Sequence, residues 1–451
     1  MTATKNKKTE EKQPLNWKNY KSKLSPRQLR GFWFLHGLNL FSFLVMFLLA
    51  GAPFLNCIGL FLLSAFLILA WYYYFNSTRE KTKGLEWVDA IAFAVIAASI
   101  IRGLFMEAFT IPTGSMENSL LVGDYLFVSK FHYGARMPVT PISFPFAHNV
   151  LPFTQKTPSY TNWFHMPYYR LPGFSEVQRY DAVVFNWPDD SIPRPVDKKE
   201  NYIKRCIGLP GDNLSIVRSI VHINGKAIEN PENSNHKYHI FTNGVPLDPQ
   251  FLKSKYDIDT YTKFLGNEGD YNEASEYDMI AYQNDTSYIY EANLSLSQLV
   301  GIKAITDVKR IDTVFFQPGD FNFHGQNYFF NKVNGSPDYM SSVWIPKVGG
   351  KIALTTENFP IYEKAIKEHE NNPTLEIKNG KIMLEGKEIK EYTFKMNYYW
   401  MMGDNRHNSM DSRYWGFVPE DHVVGKAVFI WMSWDKFKKG IRWNRLFHTV
   451  N

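Results

Sequence analysis

FTIPTGSMENSLLVGDYLFVSK, residues 109–130, decides how the rest of the chain is read. It begins where an apolar segment ends, turns through Pro112-Thr113-Gly114, and presents Ser115 before an apolar and aromatic run at 125–128. That run predicts a strand, and a serine leading into it is a candidate nucleophile held at a membrane surface. A hydroxyl attacks poorly unless a neighbouring base takes its proton. His132, His407 and His422 are candidate bases, and so is Lys204 if burial keeps its amine neutral. In Tyr202-Ile203-Lys204-Arg205-Cys206-Ile207, strand alternation sends Lys204 and Arg205 to opposite faces. Taken alone, that pattern favours an ordinary solvated lysine.

Upstream, residues 31–78 contain no Asp, Glu, Lys or Arg. As one helix they would extend about 72 Å, more than twice a hydrocarbon core of about 30 Å. The run must therefore fold back, and Gly51-Ala52-Pro53 is the natural break between helices at 32–50 and 54–75. Trp71 and Tyr72 to Tyr74 suit an interfacial aromatic belt. A third segment at 87–109 is long enough to span, although Asp89, Arg102 and Glu107 weaken it and leave an interfacial amphipathic helix as the alternative.

Residues 1–30 hold nine Lys/Arg against Glu10 and Glu11, a local balance of +7 within a net charge of +6, so the remainder of the chain is close to −1. The leader and the basic loop at 79–86 are expected inside, and everything after residue 109 outside. A nearly neutral body argues against nucleic-acid binding, which needs a basic patch on a folded domain. Cys57 and Cys206 are too differently placed for a disulfide, and no Cys/His pair has zinc spacing, so no metal is expected.

Downstream, residues 131–178 are rich in Pro and aromatics, which predicts irregular loops with short edge strands. Their Trp and Phe side chains would rest either in the outer leaflet or on the domain's own core. Strands are expected at 181–187, 202–207, 214–223, 382–389, 398–402 and 423–434, with shorter pieces within 343–354. Asn224-Gly225 and Glu385-Gly386 mark hairpin turns, and an amphipathic helix is expected at 358–370 with Thr355 or Thr356 near its cap. Residues 229–342 are polar and without a clear period. The expected organisation is a leader (1–30), a transmembrane hairpin (31–78), a loop (79–86) and a third transmembrane helix (87–109). A mainly β catalytic domain follows (110–228 and 343–440), with an inserted mixed α+β subdomain (229–342) and a tail (441–451).

IPTGSM with LLVGDYLFVSKFHYG, then RYDAVVFNWP, YIKRCIGLPGD and GDNRHNSMDSRYWGFVPE, resemble in that order the motif boxes of bacterial type I signal peptidases. These are membrane-anchored serine endopeptidases with a β-rich catalytic domain and a Ser/Lys dyad. Residues 1–85 and the insertion share no motif with that family. By position, the resemblance implies Ser115 as nucleophile and Lys204 as general base. It puts the Thr113 hydroxyl in the oxyanion hole, Ser409 beside the lysine to orient it, and Asp411 with Arg413 as a supporting ion pair. It further implies Phe109, Ile111, Leu126, Val184, Tyr202 and Ile203 as walls of pockets for small side chains.

The implied activity is removal of N-terminal signal peptides from exported preproteins, after Ala-x-Ala-like sites and through an acyl-enzyme, without a cofactor. The implied partners are preprotein signal peptides, membrane lipid and the export translocon. The implied place is the bacterial cytoplasmic membrane, multi-pass, with the catalytic domain outside. The sequence departs from the family pattern at Tyr180, where a glycine is expected, at Glu117 and Asn118, and at His407, which replaces an acidic residue and is expected at the surface. An inactive, membrane-anchored peptide-binding paralogue is the principal alternative. A soluble self-cleaving repressor shares the dyad chemistry but has no use for the uncharged run.

Overall fold

The computed structural model describes residues 83–450 except 145, 152–153, 155, 259, 265–278, 284–287, 321–326 and 436–438, together with Trp33 and Gly37. The leader and, but for those two residues, the predicted membrane hairpin lie outside the described residues. The chain divides into two units, Met1–Ile100 and Ile101–Asn451.

In the first unit, helix α1 (Lys83–Ile100) leaves Trp87, Ile91 and Phe93 exposed. Its eighteen residues include Lys83, Glu86 and Asp89, and among the described residues no helix is long and apolar enough to cross a membrane.

The second unit begins with a π-helical turn (Ile101–Phe105) that runs directly into strand β1 (Met106–Thr110). This corrects the expectation of one helix over 87–109: helical structure ends at Phe105. Strand pairing explains the difference, since Phe109 lies opposite Leu126 and Glu107 opposite Val128 in an antiparallel ladder. Glu107 is also not a free helix-end charge. Its carboxylate takes Arg102 at 2.7 Å and Lys130, just past the partner strand, at 2.9 Å.

The main sheet has nine strands among the described residues, numbered here in chain order. After β1 come β2 (Asp124–Ser129), β3 (Ala182–Asn186), β4 (Asn201–Gly208), β5 (Tyr398–Met402), β6 (Val418–Pro419), β7 (Val423–Asp435), β8 (Gly440–Ile441) and β9 (His448–Thr449). The spatial order is β1-β2-β7-β3-β4-β5-β6, with β8 and β9 also on β7, and all pairings are antiparallel. Register shifts between β2 and β7, β7 and β3, and β4 and β5 add local twist and curl the sheet into a half-barrel. Ala-Val-Val-Phe-Asn of β3 is buried at all five positions, which fits a strand covered on both faces.

A second sheet joins Tyr339–Trp344, Asn213–Val217, Ile220–Ile223 and Lys226–Ala227. The single strand expected over 214–223 is in fact a hairpin. Arg218 and Ser219 take φ of 51° and 64°, a tight reversal that neither residue type announces. The Asn224-Gly225 turn, by contrast, forms where its sequence places it, with φ of 52° and 79°. Leu214, Ile216, Val221 and Ile223 pack in one cluster with Trp400 and Phe417, which ties this sheet to the main one.

Within 229–342, a five-stranded sheet runs in the order Val308–Thr313, His236–Thr242, Tyr288–Leu294, Met279–Gln283, Thr260–Phe264. Two short helices accompany it. Asp248 caps α2 (Pro249–Tyr256), and Ser295 with Gln298 forms a capping box on α3 (Leu296–Lys303). Ile240, Leu252, Met279, Tyr290, Leu294 and Ile302 form an apolar cluster of their own.

Further on, α4 (Phe359–Lys364) continues as a π-turn to His369, with Thr355 and Asn358 exchanging hydrogen bonds at its start. Residues 131–178 are held by isolated bridges such as Arg136–Arg170 and Ser143–Tyr160 rather than by regular strands. Trp163 and Phe174 of this stretch are 91% and 86% exposed.

Candidate active site

Ser115 stands on a short 3-10 turn (Gly114–Met116) just after β1. The turn is anchored on both sides. Ile111 N–H donates to Asp124 C=O at 2.9 Å, Gly123 N–H donates back to Ile111 at 3.0 Å, and the Met116 side chain is wholly buried. Lys204 comes from the middle of β4, opposite Val183 of β3. Its Nζ donates to Ser115 Oγ at 2.6 Å and to the Ile203 carbonyl at 3.0 Å.

The strand alternation read from the sequence holds, but neither face is solvated. Lys204 is 4% exposed, and Arg205 is buried against Asp404 with Nη2 to Oδ2 at 2.6 Å. Burial pushes the Lys204 amine down to about 8, partly opposed by the carboxylates of Asp411 and Asp404 and assisted by the Arg413 charge. An amine titrating there is neutral in roughly one molecule in ten at pH 7, enough to accept a proton from the serine.

The loop at 403–413 closes over this pair. Arg413 grips Asp411 with a two-point fork, at 2.9 and 2.8 Å, and both side chains are fully buried. Asp411 also accepts from Gly403 N–H at 3.0 Å. Gly403 lies so close to the site that a Cβ there would overlap Ser409 Oγ and the Ser115 carbonyl oxygen. Asn405 completes the clamp, its N–H donating to the Ser115 carbonyl at 3.1 Å and its Nδ2 to the Gly114 carbonyl at 3.2 Å. Sequence reasoning does not single out Gly403, Asp404 or Asn405, and it names Arg205 only as the residue on the opposite strand face. They lie inside two of the quoted motifs, but neither the backbone contacts of Gly403 and Asn405 nor the Arg205–Asp404 ion pair between distant segments is visible in a local pattern.

One cavity of about 1300 Å³ gathers all the predicted pocket residues, Phe109, Ile111, Leu126, Val184, Tyr202 and Ile203, with Thr113, Ser115, Lys204 and Ser409. Thr113 is exposed on extended backbone beside Ser115. Ser409 is buried, its hydroxyl is without a hydrogen-bond partner, and Lys204 is not hydrogen-bonded to it. Asp411 and Arg413 lie behind the cavity wall rather than in it. Among the described residues, no group of three or more His, Cys, Asp or Glu side chains converges as a metal site.

The candidate histidine bases are engaged elsewhere. His132 Nδ1 meets Ser129 Oγ at 2.8 Å, and His422 is buried against Asp421 at 2.7 Å. His407, expected at the surface, is corrected: its side chain is fully buried. Nε2 meets Asp338 at 2.9 Å, and Nδ1 accepts from Lys237 N–H at 2.9 Å. The reason is a polar wall from two segments: the strand beginning at His236 offers the Lys237 N–H, and Asp338, just before the strand Tyr339–Trp344, offers the carboxylate. Tyr180, in place of the expected glycine, keeps the glycine-like conformation with φ of 72°. Its carbonyl accepts from Arg205, and its hydroxyl donates to the Glu229 carbonyl at 2.8 Å.

The family model described as signal peptidase, peptidase S26, matches residues 84–267 and 279–434. The chain is 30% identical over 380 residues to signal peptidase I of Buchnera aphidicola subsp. Acyrthosiphon pisum, covering 82% of this chain and 83% of that protein. It is 28% identical to signal peptidase I of Buchnera aphidicola subsp. Schizaphis graminum over 77% of this chain and 76% of the relative. A shorter stretch, 35% of this chain and 49% of the relative, is 37% identical to signal peptidase I of Rickettsia canadensis. The family match takes in both halves of the curled sheet and the loop that closes on Ser115, and on that ground the chain belongs to the signal peptidase family, peptidase S26, as a serine endopeptidase.

Proposed function

We propose that Ser115 and Lys204 form the catalytic dyad of a membrane-bound signal peptidase that cuts exported preproteins after Ala-x-Ala-like sites. The observation that carries this is the 2.6 Å contact between a buried lysine amine, with its pKa pushed down to about 8, and the serine hydroxyl. Neutral Lys204 takes the Ser115 proton as Oγ bonds to the scissile carbonyl carbon. The Thr113 hydroxyl and the Ser115 N–H donate to the oxyanion. Collapse expels the new amino terminus, which receives the proton from the Lys204 ammonium. Water, deprotonated by Lys204, then hydrolyses the acyl-enzyme. The hydroxyl of Ser409 lies within the same cavity, but the lysine is held by Ser115 Oγ and the Ile203 carbonyl, while the Asp411–Arg413 pair holds the loop behind it.

The substrate enters as an extended strand. β1 is an edge of the sheet, and β5 pairs with β4 only at Arg205, Cys206 and Gly208, which leaves Asn201–Ile203 with an open edge. A peptide lying between these edges sends alternate side chains into pockets walled by Phe109, Ile111, Leu126, Val184, Tyr202 and Ile203. Such walls favour small residues at the first and third positions before the cut.

Membrane attachment rests on the uncharged run at 31–78 and on the exposed Trp163 and Phe174, which suit contact with the outer leaflet. The basic leader then lies in the cytoplasm and the catalytic unit outside the cytoplasmic membrane. Preprotein signal peptides, lipid and the export translocon are the partners this arrangement calls for. The test is incubation of the detergent-purified chain with a preprotein carrying an Ala-x-Ala site, followed by sequencing of the product's new amino terminus. A single new terminus after the second alanine is expected. Cleavage elsewhere, or equal cleavage when lysine replaces that alanine, counts against the assignment.

A further inference from the structure

Asn118, one of the departures from the family pattern, lies just past the turn that carries Ser115 and takes φ of 69°, a left-handed conformation that asparagine adopts more readily than most residues. Its side chain meets the insertion. Nδ2 donates to Asn235 Oδ1 at 2.5 Å and, at a longer 3.4 Å, to Oε1 of Gln298, the residue that closes the capping box of α3. Both acceptors belong to residues 229–342.

Asn235 is itself firmly held. It is 1% exposed, and its backbone is stitched to the loop that closes on the dyad: its N–H donates to the Asp404 carbonyl at 2.8 Å, and its carbonyl accepts from Arg406 N–H at 3.0 Å. These two bonds straddle Asn405, whose own N–H donates to the Ser115 carbonyl. A single residue of the insertion therefore grips the segment after Ser115 with its side chain and the loop behind Ser115 with its backbone. The two gripped pieces also meet directly, where Ser119 Oγ donates to Asp404 Oδ2 at 2.6 Å.

Met116 and Leu120 pin the Ser115 turn from its apolar side, both wholly buried. The polar side is held by Ser119 and by the Asn118 amide. One such hydrogen bond contributes only about 1 kcal/mol to stability, but a displacement of about 1 Å at a reacting atom can slow turnover roughly 10²-fold.

We infer that Asn235 is a positioning residue for the Ser115–Lys204 dyad, acting through Asn118: the insertion ties the nucleophile's turn and the closing loop at one point and so keeps the Ser115 hydroxyl on the lysine amine. The insertion is thus a strut of the active site. This rests on Ser115 as the nucleophile. Asn118 and Asn235 both line the catalytic cavity, so a direct contact with substrate is the competing role, and it would fall on KM.

The test uses the full chain in detergent with one Ala-x-Ala peptide. Asn118→Gly keeps the left-handed backbone and deletes the donor, while Asn235→Ala deletes the acceptor and leaves both backbone bonds in place. Each, with its thermal transition checked, should lower kcat on the order of tenfold or more and leave KM within about twofold. The double variant should lose no more than Asn118→Gly alone, because one link cannot be cut twice. Losses that multiply in the double variant, losses that fall on KM, or unchanged kcat overturn the proposal. A second arm is independent of turnover and of how well the variants cleave. In the Ser115→Ala chain, adding Asn118→Gly should speed hydrogen exchange of the amides at 115–121 and 404–406, and unchanged exchange there also overturns the proposal. If Ser115→Ala cleaves as well as the wild type, the nucleophile assignment fails instead, and the exchange arm still decides whether the insertion holds the turn.

Discussion

Lys204 Nζ and Ser115 Oγ lie 2.6 Å apart although 89 residues separate them in the chain. Their meeting depends on β1 and β4 being carried toward one another by the curled sheet, and on the 403–413 loop closing behind both. A base so placed has a titration that turnover should report. Burial holds its pKa near 8, so kcat/KM should rise with pH along a limb centred near 8 and level off above it. The stability sign follows from the same shift. Between about 8 and the unfolded value of 10.5 the unfolded chain binds the extra proton, so this group makes stability rise with pH across that window and contributes a constant penalty below it. A pH–rate profile without a limb between 7 and 9 contradicts the assignment.

Thr113→Ala should lower kcat by roughly 10² to 10³-fold with little change in KM if its hydroxyl donates to the oxyanion. Stopped-assay kinetics on a peptide substrate measure this. An unchanged kcat means that other donors build the hole.

Gly403→Ala should damage both folding and turnover. The new methyl meets Ser409 Oγ and the Ser115 carbonyl oxygen, and a backbone oxygen cannot swing aside. Overpacking of this kind costs about 1–3 kcal/mol, readable as a drop in Tm, and the displaced turn should lose activity beyond what the stability loss explains. A variant as active and stable as the wild type would show that the loop does not close as described.

Arg413→Met leaves the Asp411 carboxylate buried and unpaired. Breaking such a pair costs about 3–5 kcal/mol. Chemical denaturation should find a loss of this order, and a loss under about 1 kcal/mol would mean that water reaches the site.

His407→Ala separates support from chemistry. Its ring bridges Lys237 N–H and Asp338, so removal should cost about 1–3 kcal/mol of stability. The limb near pH 8 should stay where it is. Movement of that limb would bring the histidine back as a base.

The sequence was most legible where chemistry and strand period coincide. Ser115 before a strand, and Lys204 alternating with Arg205, were readable from local pattern, and the strands at 398–402 and 423–434 follow from aromatic and β-branched content. Hidden from that pattern were features made by backbone geometry. Arg218 and Ser219 turn a hairpin with ordinary side chains in left-handed conformations. The end of helical structure before Met106 is set by pairing with a strand that begins at Asp124, which no local window contains. His407 looked like a surface substitution because its partners, Lys237 and Asp338, come from residues with no readable period.

The most direct test of the Ser115–Lys204 pair is turnover of one Ala-x-Ala preprotein by the wild type, Ser115→Ala and Lys204→Met, each checked for an unchanged thermal transition. The account predicts cleavage by the wild type alone, with losses of at least roughly 10²-fold in Lys204→Met and larger in Ser115→Ala. Turnover by folded Lys204→Met within a few-fold of the wild type would contradict it.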